Sequence, residues 1–154
     1  MLITRTLLGA LALEAAQSPR QRKNRNFHTS DAARAHRLLN ALQPASYVRP
    51  HCHPDEEKAE TIIALQGSFG LVIFDVDGGI ASCDVIACGG PALGINIPCG
   101  TFHKLVALAS GSVFFEAKAG PYVPLHETET AAWAPVDGAP GAPAYLTRMR
   151  AWFV

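Results

Sequence analysis

Two histidines separated by one residue stand in the stretch PHCHPDEEKAE, residues 50–60, and four carboxylates follow within seven residues. If residues 47–53 are extended, consecutive side chains point to opposite faces. His51 and His53 then share one face, while Cys52 between them points away. Two imidazoles directed at one point can bind a transition metal. The spacing predicts the two histidines, and not the cysteine, as metal ligands.

Among the four carboxylates, Glu60 is the best placed to join the histidines. It begins the alternating run ETIIALQG, which predicts a strand with Glu60 and Ile62 on one face. The other three carboxylates sit in the turn before that run: Asp55, Glu56 and Glu57. A strand holds a ligand in place better than a turn does, so Glu60 is predicted as the third ligand.

A third histidine opens another alternating run, IPCGTFHKLVALAS. Pro98 and Gly100 predict a sharp turn, and His103 follows it at the start of a strand. A single histidine in such a place is more often a buried core residue than a ligand, but the pair upstream favours the metal interpretation. Three imidazoles and one carboxylate suit Fe, Mn, Ni, Cu or Zn, so one divalent transition metal is expected.

Other charged and aromatic residues could surround this site. Arg49 and Tyr47 lie on the predicted face of the paired histidines; an inward arginine needs an anion, from the protein or from a substrate. In SVFFEAKAGP, Glu116 and Lys118 share a face. They form either a solvent-facing pair or the mouth of the site, with Lys118 beside an anionic ligand or Glu116 as a proton acceptor. Glu116, Lys118 and Arg49 are the candidate catalytic residues.

Short apolar runs separated by turn residues predict the elements that hold these side chains. From about residue 44 the runs recur at near-regular intervals, which is typical of an all-β sandwich or barrel. The best hairpin turns are Gly67-Ser68, Asp77-Gly78-Gly79 and Ser110-Gly111.

Two helices are predicted before the strands. The first covers residues 3–17, where leucines recur at helical spacing, and the second covers SDAARAHRLLNALQ, with Ser30 or Asp31 as its N-cap. The last stretch ends in an apolar, strand-like piece that either packs back on the barrel or is poorly ordered. We therefore expect one domain, with a helical extension over about 1–43, a β-barrel over about 44–134 and a tail over about 135–154.

Composition restricts the class of protein. With 49% hydrophobic and 17% charged residues the chain is neither disordered nor membrane-like, and no apolar run reaches the length of a membrane span. A basic residue and an apolar stretch at the start superficially suggest a secretion signal, but Glu14 stands where its cleavage region would be. Four cysteines without CxxC pairing predict reduced thiols and a cytoplasmic protein.

Net charge is zero, yet residues 1–40 carry seven Lys/Arg and only two Asp/Glu. The densest part, PRQRKNRN at 19–26, is either a solvated linker or a site for phosphate, carboxylate or nucleic acid. No aromatic residues interleave to stack on bases, so no nucleic-acid partner is expected.

Residues 51–67 resemble the first cupin motif, with His51, His53, Glu60 and Gly67, and residues 98–103 resemble the core of the second, PxGxxH. From about residue 18 to 136 the chain is also similar to the WbuC-type cupin-fold metalloproteins. The matching segments are SPRQRKNRNFH, LLNALQPASYVRPHCHPDEEKAETIIALQG, FGLVIFDVDGGI, the PxGxxH turn, SVFFEAKAGPYVP and AAWAP.

The resemblance implies a mainly β, cupin-type barrel (double-stranded β-helix, or jelly roll) with an N-terminal helical extension. It implies a divalent metal held by His51, His53, Glu60 and His103, and a place in bacterial polysaccharide (O-antigen) metabolism. It also adds Arg25 and His28 to Tyr47 and Arg49 as candidate substrate-binding residues.

We expect a metal-binding cupin acting on a small polar or anionic, sugar-related molecule, as an isomerase, epimerase or dioxygenase. The alternative is a non-catalytic module that binds a sugar or carboxylate and holds a structural metal. A homodimer is expected because an open sheet edge in such barrels is commonly covered by a partner.

Overall fold

A computed structural model describes residues 1–153. Two helices and eight strands follow one another along the chain, with single 3-10 turns at Glu127–Glu129 and Ala151–Phe153. The elements are α1 (Arg5–Gln17), β1 (Arg22–Asn26), β2 (Ala35–Leu42), β3 (Glu60–Gln66), β4 (Ser68–Phe74), β5 (Ile80–Ala87), β6 (Gly94–Ile97), β7 (Phe102–Ala107), β8 (Ser112–Ala119) and α2 (Ala142–Arg150).

The strands form two antiparallel sheets, ordered β1-β2-β8-β3-β6 and β5-β4-β7. Their facing sides enclose an apolar core that includes Ile62, Phe69, Leu71 and Phe114. The chain crosses between the sheets at several corners, as in a jelly roll. The prediction of a mainly β jelly-roll barrel with an N-terminal helix is confirmed.

Helix α1 covers the outer face of the larger sheet. It begins where the Thr4 side chain accepts a hydrogen bond from the Leu7 backbone N–H, a common N-cap arrangement. Its apolar stripe, with Leu11 and Ala15, packs against Leu39 of β2 and Val113 of β8. The first predicted helix is therefore present.

The second predicted helix is wrong, because its residues form β2. Leu39 and Ala41 pack beneath α1 while Leu42 joins the core between the sheets, so both faces of this strand are covered. A strand covered on both faces has apolar residues without clear alternation, which resembles helical spacing. The basic segment forms the neighbouring edge strand β1, so the sheet starts well before residue 44 and only α1 of the predicted extension is helical.

Of the three predicted hairpin turns, only Asp77-Gly78 joins paired strands, β4 and β5. Gly67 and Gly111 lie instead at corners where the chain passes from one sheet to the other. Gly67 has φ +68°, and a Cβ there would collide with the Ser112 hydroxyl. The prediction of turns at Gly67 and Gly111 is therefore correct, but neither turn joins the two strands of a hairpin.

The C-terminal segment is helical and not strand-like. Leu146 and Met149 of α2 pack against Val72 and Val106 on the outer face of the smaller sheet, so the segment packs back on the barrel. Over residues 1–153, neither helix is long and apolar enough to cross a membrane. All four cysteines are free.

Candidate metal centre

The segment carrying the paired histidines lies between β7 and the residues that follow β8. His51 exchanges backbone hydrogen bonds with His103, at 3.3 and 3.0 Å. On its other side, Cys52 N–H donates to the Glu129 carbonyl and Ala131 N–H donates to the Pro50 carbonyl, each at 2.9 Å. Backbone pairing on both sides fixes the position of this segment.

The four predicted metal ligands come together around the Glu60 carboxylate. His53 Nε2 lies 3.1 Å from Glu60 Oε1, and His103 Nε2 lies 3.2 Å from Glu60 Oε2. One ligand atom each from His51, His53 and Glu60 falls within 4.8 Å of the others. The ring centroids of His51 and His103 are 4.8 Å apart.

The other ring nitrogen of each histidine faces an acceptor. His51 Nδ1 lies 3.1 Å from the Arg49 carbonyl, and His103 Nδ1 lies 2.9 Å from the Thr101 carbonyl. Since a carbonyl can only accept, each of these two Nδ1 atoms carries a proton, and Nε2 is the nitrogen that faces the centre. For His53, the Glu129 carboxylate is the group nearest to Nδ1, at 3.8 Å, which is too far for a hydrogen bond.

The protonation states of His51 and Glu60 also suit metal binding. Burial, and then the charge of His103, lowers the pKa of His51 from 6.5 to about 3, so its imidazole is neutral at pH 7. Burial alone would raise the pKa of Glu60, but the close ring nitrogens of His103 and His53 and the Lys118 ammonium hold it well below its usual range. The site thus offers a neutral imidazole at His51 and an ionised carboxylate at Glu60.

One atom at the centre has no partner. The 3.1 Å contact of His53 Nε2 with Glu60 is not aligned as a hydrogen bond, so this buried nitrogen lacks a hydrogen-bond partner within residues 1–153. A buried polar atom left unpaired is costly. Together with the donor set, it fits a divalent metal of the kind that imidazole and carboxylate bind; the identity of the metal is open.

Glu116 and Lys118 face this centre and not solvent. Lys118 Nζ lies 2.8 Å from Glu60 Oε1 and 2.6 Å from Glu116 Oε1. Asn40 Nδ2 donates to Glu116 Oε2 at 2.7 Å. Burial raises the pKa of Glu116, although the Lys118 charge opposes the rise. Burial opposes the charge of Lys118, but the two carboxylates raise its pKa above the ordinary value.

Arg49 is held by neutral groups. Its Nε donates to the Ala131 carbonyl at 2.8 Å, and one terminal nitrogen lies 3.5 Å from the Thr130 hydroxyl. The anionic partner predicted for Arg49 is not among these contacts, because both partners are uncharged oxygens. The arginine ties the histidine segment to the residues after β8, and its side chain also lines the cavity described next.

A cavity of about 780 Å³ opens from the centre, within the size range of small-molecule sites. Its polar lining includes Asn40, Glu116 and Lys118, and then Arg22 and Asn24 of β1. The apolar lining consists of Leu42, Val48, Ile62, Leu105 and Phe114.

Three predicted substrate-binding residues lie elsewhere. The Tyr47 hydroxyl donates to the Pro135 carbonyl at 2.7 Å, and its ring lies 4.3 Å beneath Lys104 Nζ. Arg25 pairs with Leu39 in the sheet and so lies on the face covered by α1. The His28 ring stacks on His36, with centroids 3.9 Å apart. Alternation failed at Tyr47 because the turn at 44–45 precedes it and the paired segment begins only near Pro50.

Sequence reasoning missed Asn40, Lys104 and Glu129. Asn40 could have been placed inside the barrel had β2 been recognised as a strand. Lys104 follows His103, so alternation already put it on the opposite face of β7. No local signal marks Glu129, which reaches His53 from a 3-10 turn 76 residues away.

A family model described as "Domain of unknown function (DUF6016)" matches residues 3–86, which contain His51, His53 and Glu60 but not His103. No curated protein matches the sequence. KdgF from Halomonas sp. superimposes with a TM-score of 0.52 at 16% identity, over 69% of this chain and 84% of that one. A conserved protein of unknown function from Streptococcus pyogenes gives 0.51 at 15%, over 71% and 86%. At these identities the similarity shows the fold alone, the cupin-type barrel.

Proposed function

Because the chain belongs to the family described as a domain of unknown function (DUF6016), we propose its function from its own site. It is a metal-dependent cupin that binds a small polar or anionic, sugar-related molecule beside a divalent metal and transforms it. The observation that carries this proposal is that Nε2 of His53 and of His103 lie 3.1 and 3.2 Å from the Glu60 carboxylate, with a ligand atom of His51 within 4.8 Å, beside a cavity of about 780 Å³.

His51, His53, Glu60 and His103 would hold the metal. When bound, such an ion polarises a ligand oxygen as a Lewis acid or binds O₂. The protein's own part is to present the imidazoles, and the carbonyls at Nδ1 orient those of His51 and His103.

Glu116 and Lys118 are the residues we assign to the chemistry. Glu116 is buried and held by Asn40, and its raised pKa makes it a better proton acceptor than an exposed glutamate. Lys118 lies between two carboxylates and lines the cavity, where its ammonium can hold an anionic oxygen of the ligand. Proton removal beside a polarised carbonyl is the chemistry of an isomerase or epimerase, which we favour over a dioxygenase.

A role in bacterial polysaccharide metabolism, membership of the WbuC-type cupins and a cytoplasmic location remain part of this proposal. The first two rest on the segments between residues 18 and 136 that resemble that family. The last rests on four cysteines without CxxC pairing, all of which are free thiols.

Elemental analysis of the purified protein tests the metal site. We expect about one divalent transition metal per chain, lost in His51→Ala and in His103→Ala because each removes one donor. His126→Ala is the matched control, since that histidine is exposed on the 3-10 turn after β8. Stoichiometric metal in both site variants would contradict the assignment.

Turnover separates an enzyme from a binding module. The loaded protein is screened with sugar phosphates, nucleotide sugars and small keto acids, and product should form in the wild type but not in Glu116→Gln, which keeps its metal. A thermal shift with a ligand but no product would favour the binding module. Unfolding on chelation without binding of any ligand would favour a structural metal.

A further inference from the structure

A second cavity, of about 590 Å³, lies between α2 and the segments before β1 and after β2. One face of α2 lines it, with Ala142, Leu146 and Arg150 at a spacing of four residues. Arg20 and Arg22 line both this cavity and the metal cavity. We call the second cavity the arginine groove, defined by Arg20, Arg22 and Arg150.

The charges in the arginine groove do not balance. Its single carboxylate, Asp137, lies 2.6 Å from Arg22, and Arg22 also donates to the Tyr47 carbonyl at 2.6 Å. In the described part of the chain, the guanidinium groups of Arg20 and Arg150 contact no carboxylate. Two positive charges in the groove are therefore left without a counter-charge.

Arg150 shows the imbalance at atomic level. Its Nε is buried and has no hydrogen-bond partner among residues 1–153. A buried donor without an acceptor is destabilising, and more so on a charged group. The fold itself therefore leaves this guanidinium uncompensated.

The remaining lining indicates what kind of ligand fits. The walls between the arginines are apolar, with Pro44, Ala142 and Leu146. Guanidinium groups match the planar fork of a carboxylate or the oxygens of a phosphate through paired, charge-assisted hydrogen bonds.

We propose that the arginine groove binds the oxyanion, phosphate or carboxylate, of a small organic molecule whose apolar part rests on α2. The site is separate from the metal centre and needs no metal. It also accounts for the basic segment at 19–26, two of whose arginines line the groove while Lys23 of β1 faces Glu14 of α1.

Binding is tested on the full chain with inorganic phosphate, phenyl phosphate and benzoate, followed by calorimetry and by the Nε–H resonances of the arginines. We expect saturable binding, a shift of the Arg150 resonance and tighter binding of phenyl phosphate than of inorganic phosphate. Arg150→Gln and Arg20→Gln should each weaken binding by about tenfold or more, since a hydrogen bond to a charged group contributes about 1.5–3 kcal/mol. Tighter binding of phenyl phosphate would identify the oxyanion as a phosphate, and tighter binding of benzoate would identify it as a carboxylate.

Arg148→Gln is the matched control. It lies in the same last turn of α2, but its guanidinium stacks over the Tyr145 ring, 5.0 Å from the centroid, outside the groove. It should bind all three probes like the wild type. An equal loss in Arg148→Gln, or no saturable binding in the wild type, overturns the proposal.

Failure of this proposal and failure of the metal site are distinguishable. If the anion binds in the groove, His103→Ala keeps anion binding and Arg150→Gln keeps its metal. Loss of anion binding in His103→Ala places the anion in the metal cavity and overturns the proposal. Should Arg150→Gln fail to fold, as judged by circular dichroism, Arg20→Gln still decides, because Arg20 is exposed and makes no side-chain hydrogen bond in the described chain.

Discussion

At the scale of single residues, the acceptors opposite the three histidines differ in kind. Backbone carbonyls face Nδ1 of His51 and of His103, whereas a side chain, Glu129, faces Nδ1 of His53 from 3.8 Å. A backbone acceptor survives substitution of its residue, but a carboxylate does not. The Glu129 carboxylate is therefore the neighbour of an Nδ1 atom that mutation can remove, and we expect it to position His53 through its charge, without being a ligand itself.

Glu129→Ala should lower metal affinity by about 10–100-fold, the effect typical of losing a group that orients a metal-bound histidine. Competition with a colorimetric chelator measures it. Glu127→Ala, an exposed glutamate of the same 3-10 turn, should bind metal like the wild type. Unchanged affinity in Glu129→Ala would show that the carboxylate does not orient His53.

Lys104 is a buried amine on the face of β7 opposite His103, 2% exposed. Burial, and then the charge of Arg22, lowers its pKa from 10.5 to about 7. Between pH 7 and 10.5 the unfolded chain thus binds more protons than the folded one, so the free energy of unfolding should rise with pH across that window. We expect a rise of about 2–4 kcal/mol in metal-free protein, measured by urea unfolding.

Lys104→Met should abolish this rise, because the group that titrates is gone. Lys23→Met is the control, since the Lys23 side chain is half exposed, and it should leave the rise intact. If the free energy of unfolding still rises with pH in Lys104→Met, a group other than Lys104 causes the rise.

The residues of the candidate metal site could be predicted from sequence because strand alternation is a local property. Residues two apart share a face whatever the rest of the fold does. Glu129 could not, because it meets the site through a side-chain contact 76 residues along the chain, and Asn40 was missed only because β2 was predicted as a helix. Contacts between residues so far apart in the chain produce no periodic pattern in the sequence.

At the scale of elements, the surroundings of β2 explain why this strand was mispredicted as a helix. Its pairing with β8 joins Leu39 to Phe115 and Leu42 to Ser112, which are 76 and 70 residues apart in the chain. That pairing, and the cover supplied by α1, outweigh the helix propensity of its alanines and leucines. The strands from β3 onward were easier to predict, because turn residues separate them.

Helix α2 should contribute to stability through its buried face. Met149 is fully buried against Val72 and Val106. Met149→Ala should lower the free energy of unfolding by about 2–4 kcal/mol, through lost transfer energy and the cavity left behind. Urea unfolding measures this, with Thr147→Ala on the exposed side of the helix as control. A loss below about 1 kcal/mol would mean that the helix is only loosely docked.

At the scale of the whole molecule, β5 is an open edge. It pairs only with β4 among the described strands, and residues 80–85 are exposed on both faces, with Ile80 at 47% and Val85 at 43%. No Lys, Arg or Pro protects it, although natural edge strands usually carry such residues. The expected homodimer thus has a specific surface, antiparallel pairing of two β5 strands.

Sedimentation velocity over a concentration series tests this pairing. The wild type should dimerise, and Val85→Lys should weaken the dimer by about tenfold or more, because a buried, unpaired ammonium opposes strand pairing. Leu13→Lys replaces an apolar residue on α1 that is even more exposed, at 66%, and should dimerise normally. A wild type that stays monomeric at every concentration would contradict the pairing.

The backbone pairing of the histidine segment has a consequence for biosynthesis. Its hydrogen bonds to Glu129 and Ala131 come from residues made after all eight strands. A nascent chain that has just completed β8 holds all four donors but lacks the residues that fix two of them and the carboxylate that orients His53. We therefore expect tight metal loading to be a late event, completed only when the chain through residue 131 has left the ribosome.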